Sequence, residues 1–225
     1  MRYLGLALFS EGPTDDRFLV PLLQRLCQDL CLKHSSELVD IADVLPLKNP
    51  KGEAGAPRAE RVARAAVEAA DAWQILFVHT DGAGDAGAKR AQLVVPAIAL
   101  VQKRFCATGA GVAVVPVRET EAWALADGDA LRFVFGTTLD DVALGVPVHA
   151  RQVEAIADPK QVLERAYART GPGGRRARAG VAALLSSLGQ QVSLARLRQV
   201  DSFARTEAEA MVALESLRIV AAPHR

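Results

Sequence analysis

Leu4-Gly5-Leu6-Ala7-Leu8-Phe9-Ser10-Glu11-Gly12-Pro13-Thr14-Asp15 joins an apolar run directly to a turn and an acidic helix start. A short apolar run bounded by turn residues, without polar alternation, is the pattern of a strand covered on both faces. Tyr3–Phe9 is therefore predicted as the first strand, with Tyr3 buried in it. From Thr14 to about Cys31 the apolar residues Phe18, Leu19, Leu22, Leu23, Leu26 and Leu30 recur at helical spacing. Gly12 suits the tight turn between strand and helix, and Thr14 with Asp15 is expected to cap the helix by accepting its free N–H groups. Glu11 is left without a structural task. A carboxylate directly after a buried strand costs several kcal/mol unless a cation or a donor meets it.

Outward from this segment the alternation continues. Val39–Val44, Ile75–Val78 and Val112–Val117 read as further strands, and Ala59 to about Asp71 and Leu93 to Arg104 as helices, the second with Pro96 in its first turn or at a kink. The first ~120 residues thus run βαβαβαβ, which implies an α/β fold: a mostly parallel, four-stranded, Rossmann-like sheet flanked by helices. Beyond Glu121 no strand pattern returns. Helical stretches near Pro159–Ala168, Ala177–Leu188, Leu194–Val200 and Thr206–Leu217 predict a C-terminal helical extension. The expected organisation is an α/β domain over residues 1–128 and a helical extension over 129–225 packed on it, with a basic Gly/Pro loop near 171–178.

Two more motifs resemble the first. Val78-His79-Thr80-Asp81-Gly82-Ala83-Gly84-Asp85 follows a predicted strand, and its glycines are expected to form a flexible loop that folds Asp81 and Asp85 toward one point. Val117-Arg118-Glu119-Thr120-Glu121-Ala122-Trp123 follows the last strand. Ligands of open α/β sheets bind outside the carboxyl ends of the strands, so Glu11, Asp81, Asp85 and Glu121 are expected at one edge. Hard cations such as Mg²⁺ or Mn²⁺ take oxygen ligands from a few carboxylates and water, and these four acids are the candidate metal ligands. His79 is read as a structural residue or an outer partner of the metal site, and Trp123 as core.

Composition sets the bounds. The 225 residues carry a formal net charge of +1, which argues against a whole-molecule attraction to polyanions. No apolar run approaches the ~20 residues of a membrane span, and the first residues read as a strand, not a signal peptide. Three cysteines, Cys27, Cys31 and Cys106, show no metal-ligand spacing and fit a reducing compartment, with the cytoplasm as the default; Cys27 and Cys31 share a helix face and are expected to pack as small hydrophobes. No Gly-x-x-x-x-Gly-Lys-Ser/Thr loop is present, so nucleotide hydrolysis through a P-loop is excluded.

At Ser10-Glu11-Gly12-Pro13-Thr14-Asp15, His79-Thr80-Asp81-Gly82, Arg118-Glu119-Thr120-Glu121-Ala122-Trp123 and Asp158-Pro159-Lys160 the chain resembles the TOPRIM family, most closely the bacterial TOPRIM-like proteins of the DUF4276 type, over about residues 4–165. TOPRIM domains generally carry Asp-x-Asp after the third strand, whereas Ala83 stands two residues beyond Asp81 here. The resemblance implies Mg²⁺- or Mn²⁺-dependent phosphodiester cleavage, with Glu11 and Asp81 catalytic and Lys160 reaching the acidic site as a phosphate ligand or a glutamate's partner. It also implies a nuclease acting on DNA or RNA, the effector of a separately encoded ABC- or AAA-type ATPase in bacterial phage defence, or a toxin-like module. The substitution by Ala83 keeps a different reading open, a non-catalytic interaction subunit; a small-molecule phosphohydrolase would use the same pocket.

Two basic segments are candidates for holding nucleic acid. Lys48, Lys51 and Arg58 lie in a Gly/Pro-rich stretch on the expected substrate edge, and Arg175, Arg176 and Arg178 follow Gly171–Gly174. For both, a solvated surface is the competing account. The open edges of a parallel sheet also allow a homo-oligomer.

Overall fold

The computed structural model describes residues 1–50, 55–105 and 109–221. Strands β1 (Arg2–Phe9), β2 (Val39–Pro46), β3 (Ile75–His79) and β4 (Ala110–Val114) form one parallel sheet in the order β2-β1-β3-β4. Helix α1 (Pro13–His34) connects β1 to β2, and α2 (Arg58–Glu68) leads from β2 back toward β3. From Ala86 the chain is helical to Phe105, as α3 (Ala86–Lys89), a π turn (Arg90–Val94) and α4 (Val95–Phe105). That helix begins seven residues before the expected Leu93. Pro96 cannot donate to the i−4 carbonyl, and the chain absorbs the defect in the π turn, where the Val95 N–H reaches Arg90 O.

The two faces of the sheet follow from strand parity. Leu4, Leu6, Leu8, Ile75, Phe77, Val112 and Val114 point to the layer containing α1, whereas Ala7, Phe9, Leu76, Val78, Ala113 and Val115 point to α2 and α4. Tyr3 departs from expectation: it lies near the start of β1, beyond the cover of the helices, and is 55% exposed. After β4 the described residues hold helices and turns only: α5 (Glu121–Ala124), α6 (Gly128–Phe135), α7 (Asp141–Leu144), α8 (Pro159–Arg169), α9 (Gly174–Ala179), α10 (Leu185–Gln191), α11 (Leu194–Leu197) and α12 (Asp201–Ser216). Their apolar residues, among them Trp123, Leu163, Leu188 and Phe203, share one buried cluster with α1 and the sheet face above it. Trp123 is core, donating through Nε1 to Ser202 Oγ and meeting the Phe203 ring edge-on. Cys27 and Cys31 are buried on α1, as small hydrophobes would be, and Cys106 lies outside the described residues.

Both edges of the sheet are managed. On β4 the Ala113 N–H donates to Glu209 Oε2 at 2.9 Å and the Ala113 carbonyl accepts from Thr206 Oγ1 at 3.1 Å, so α12 occupies the hydrogen-bonding positions of a missing strand. The β2 edge carries exposed Asp40, Asp43 and Pro46, and its pairing with β1 slips between Leu4 and Leu6, which discourages a further strand.

Candidate metal centre

The order β2-β1-β3-β4 places the reversal of chain direction between β1 and β3, where the connections leave to opposite sides and open a crevice at the carboxyl ends. Into it come Glu11 and Asp15 after β1, His79 and Asp81 at and after β3, and Glu119 and Glu121 after β4.

Asp15 does not cap α1. The N-cap is Gly12, without a side-chain bond, and Pro13 takes the first helical position, where its missing N–H is harmless. One helical turn beyond Glu11, the Asp15 carboxylate points back over the strand end. It is buried, Oδ1 accepts from Thr120 Oγ1 at 3.0 Å, and Oδ2 lies 3.9 Å from His79 Nδ1. On the other side of the ring, His79 Nε2 is 3.3 Å from Asp81 Oδ1. Donor atoms of Asp15, His79 and Asp81 all lie within 4.8 Å of one another.

His79 is fully buried, yet neither ring nitrogen completes a hydrogen bond, nor does Asp81 Oδ1. It is therefore not the satisfied structural histidine that the end of a buried strand suggests. A neutral imidazole has one N–H and one lone pair, so between two carboxylates one side must meet lone pair against lone pair. Each buried polar atom left unmatched costs about 1–3 kcal/mol. A cation among these atoms relieves all three.

The surroundings have the same electrostatic character. Burial first, then Asp81 and Glu11, push the Asp15 carboxyl above its ordinary range against the pull of His79 and Thr120. Burial, then Glu119, Asp15 and Asp81, push Glu121 up, though a backbone bond pulls the other way. Glu119 is raised by burial as well, opposed by the backbone N–H of Lys160. Carboxylates from three connections thus repel one another across one crevice. Glu11, 38% exposed, faces its mouth, with Oε1 accepting from Thr80 Oγ1.

The loop bearing Asp81 is not flexible. Gly82 N–H donates to Pro116 O at 3.0 Å, Ala83 N–H to Arg118 O at 3.3 Å and Gly84 N–H to Val117 O at 2.9 Å, which ties it to the loop after β4. A side chain on Gly82 would collide with the carbonyl oxygens of Pro116 and Val117, and Ala83 takes the left-handed φ of 49°. This path carries Asp85 away from Asp81: Asp85 is the N-cap of α3, and its Oδ1 accepts from Ala88 N–H at 2.9 Å.

The basic candidates separate. Lys160, exposed at the second position of α8, stands beside Glu119. Arg58, the first residue of α2, reaches the crevice directly, with its NH1 3.9 Å from Glu11 Oε1. Lys48 is exposed after β2, and Lys51 lies outside the described residues. Arg176 is engaged in the fold, donating to the Phe135 carbonyl at 2.6 Å where α6 ends, a place that favours a cation. Arg175 and Arg178 are exposed on α9, and the eleven residues of α8 put roughly 16 Å of helix between Lys160's end and theirs.

Asp15 and His79 were readable in the sequence. Asp15 is four residues from Glu11, and Ile75, Phe77 and His79 share the strand parity that faces α1. The chain matches no known protein-family model, no curated protein and no solved structure.

Proposed function

We propose that this chain is a divalent-metal-dependent phosphodiester hydrolase, a nuclease of TOPRIM type. The observation carrying this reading is the buried Asp15–His79–Asp81 group, whose two ring nitrogens and Asp81 Oδ1 lack partners. The donor set fits a metal: two carboxylates and an imidazole at one crevice, with Glu11 and Glu121 at its border. An imidazole among the ligands favours Mn²⁺ or a similar first-row ion over Mg²⁺. A metal bound there supplies neutralisation of phosphate charge and a polarised water. The chain's own groups do the rest: Glu11, held by the Thr80 hydroxyl and open to solvent, accepts the proton of the attacking water, and Lys160 meets phosphate from the α8 side. The proposed setting is the cytoplasm, with DNA or RNA as substrate and a separate ATPase as partner; no helix among the described residues is long and apolar enough to cross a membrane.

A second reading has one observation of its own. With Ala83 two residues beyond Asp81 and Asp85 held as a helix cap, the loop offers a single carboxylate. That supports a centre for one ion, or an interaction subunit that has lost catalysis.

Calorimetric titration of Mn²⁺ and Mg²⁺ into wild type, His79→Ala and Asp81→Ala, with nuclease assays in the same buffers, tests the proposal. The expected result is one Mn²⁺ site, weaker for Mg²⁺ and lost in both variants, with metal-dependent cleavage lost alongside it. Absence of binding to the wild type at millimolar Mn²⁺ sinks it, and binding without cleavage of any nucleic acid favours the interaction subunit.

A further inference from the structure

Arg58 differs from the other arginines of the molecule in being aimed at the acidic centre while only loosely used by it. Its side chain is 13% exposed and its guanidinium lies 5.5 Å above the Phe9 ring. One terminal nitrogen donates to the His79 carbonyl, which anchors the group to the end of β3. The other faces Glu11 Oε1 across 3.9 Å, too far for a hydrogen bond, and Nε has no partner. A guanidinium buried on an aromatic ring, fixed at one corner and unsatisfied at another, has lost most of its rotamer freedom before any ligand arrives. Such preorganisation is what recognition of a phosphate oxygen requires.

Its place in the fold adds to this. Phe9 belongs to the layer of α2 and α4, and Arg58 enters from that layer. Lys160 enters from the opposite one, since α8 buries Leu163 and Ala166 in the cluster around α1. An anion over the carboxyl ends of β1 and β3 would therefore meet one cation from each face of the sheet, with the carboxylates beneath it. With a divalent ion on the carboxylates, Glu11 is drawn toward that ion and the Arg58 terminal nitrogen is freed.

We propose that Arg58 binds a non-bridging oxygen of the substrate's phosphate, exchanging its loose pairing with Glu11 for the anion. This rests on the metal-centre reading above. It makes Arg58 a substrate-contacting residue, whereas a purely charge-balancing role would end with the carboxylates.

The test measures inorganic phosphate binding to Mn²⁺-loaded wild type, Arg58→Gln and Arg58→Lys, with the Mn²⁺ affinity of each measured separately. Losing one charge-assisted contact predicts phosphate binding weaker by about tenfold or more in Arg58→Gln. Mn²⁺ affinity should be unchanged or tighter, since one positive charge has left the cluster. Arg58→Lys keeps the charge and most of the packing on Phe9, so it serves if the glutamine variant fails to fold. It should bind phosphate several-fold less tightly, having lost the planar donor set. Phosphate affinity within about twofold of wild type in a folded, Mn²⁺-binding variant overturns the proposal and leaves the metal centre standing. If wild type takes up no Mn²⁺, the metal reading falls, and phosphate-dependent thermal stabilisation of the metal-free chain decides for Arg58: its loss in Arg58→Gln retains the assignment, and no stabilisation of the wild type ends it.

Discussion

Two clusters of charge hold parts of α1 in place, and they are built on opposite terms. Near its carboxyl-terminal half, Arg198 donates to both oxygens of Glu207, at 2.7 to 3.0 Å, and also to Asp29, which Lys33 pairs at 2.8 Å. Every formal charge there has an opposite neighbour. Near the amino terminus of the same helix, Asp15 shares a crevice with Asp81, Glu11, Glu119 and Glu121, and the cations at hand are a half-met Arg58 and an exposed Lys160. The first cluster is complete as it stands and reads as a clasp between α1 and the helical layer. The second is short of positive charge where it is most buried, which is the condition of a site awaiting a ligand.

The comparison breaks most visibly if the clasp is cut. Arg198→Ala leaves Asp29 and Glu207 beside each other without their shared cation. The clasp is about a third exposed, and solvent screening limits the loss to about 1–2 kcal/mol. For a chain of this size that lowers the melting temperature by about 2–8 °C. Mn²⁺ affinity should stay within about twofold, and a change beyond that in a folded variant would show that the two clusters are coupled.

Charge removal at the crevice should act with the opposite sign. Asp15→Asn keeps the oxygen that accepts from Thr120, yet removes one charge from the group. In the presence of a chelator it is expected to raise stability by about 1 kcal/mol, read as a higher melting temperature, while weakening Mn²⁺ binding by about tenfold or more. A fall in stability under chelation would mean that the Asp15 charge is already compensated.

The smallest effect expected is one of pH. The carboxyls of Asp15 and Glu121 are both raised, chiefly by burial, so the folded chain holds these protons more tightly than the unfolded one. Their contribution to stability is fully present below the unfolded carboxyl range of about pH 4 and is lost as pH rises through the raised folded values. Chelated wild type should therefore lose stability from about pH 4 toward neutrality relative to Asp15→Asn, and saturating Mn²⁺ should flatten the curve. Thermal melts across that range check both, and parallel curves for the two proteins would remove Asp15 from the account.

The candidate site was partly legible because its motifs sit at strand ends. Glu11 and Asp81 were found by that rule alone, and Glu121 by its place after the last strand. Asp15 was misread because an acid in the first turn of a helix has an ordinary job as a cap; Pro13 and the Gly12 turn remove the need for it here. Asp85 was misplaced for the converse reason. Glycines suggested a mobile loop, but close backbone approach to Pro116–Arg118 makes the turn rigid and turns Asp85 outward as a cap. Arg58 lies far from the acidic motifs along the chain, and only the packing of α2 on Phe9 brings it to them.

Periodicity and turn residues were enough for the α/β class, the four strands, the two-sided burial of β1 and β3 and the helical character beyond Glu121. These depend on near neighbours along the chain, where spacing decides which face a residue takes. Strand order, the cover of the β4 edge by Thr206 and Glu209, and the placing of His79 between two carboxylates depend on contacts between distant segments. Their energies are set by which partner atoms remain unmatched once the layers close, and that is known only after every helix has found its side of the sheet.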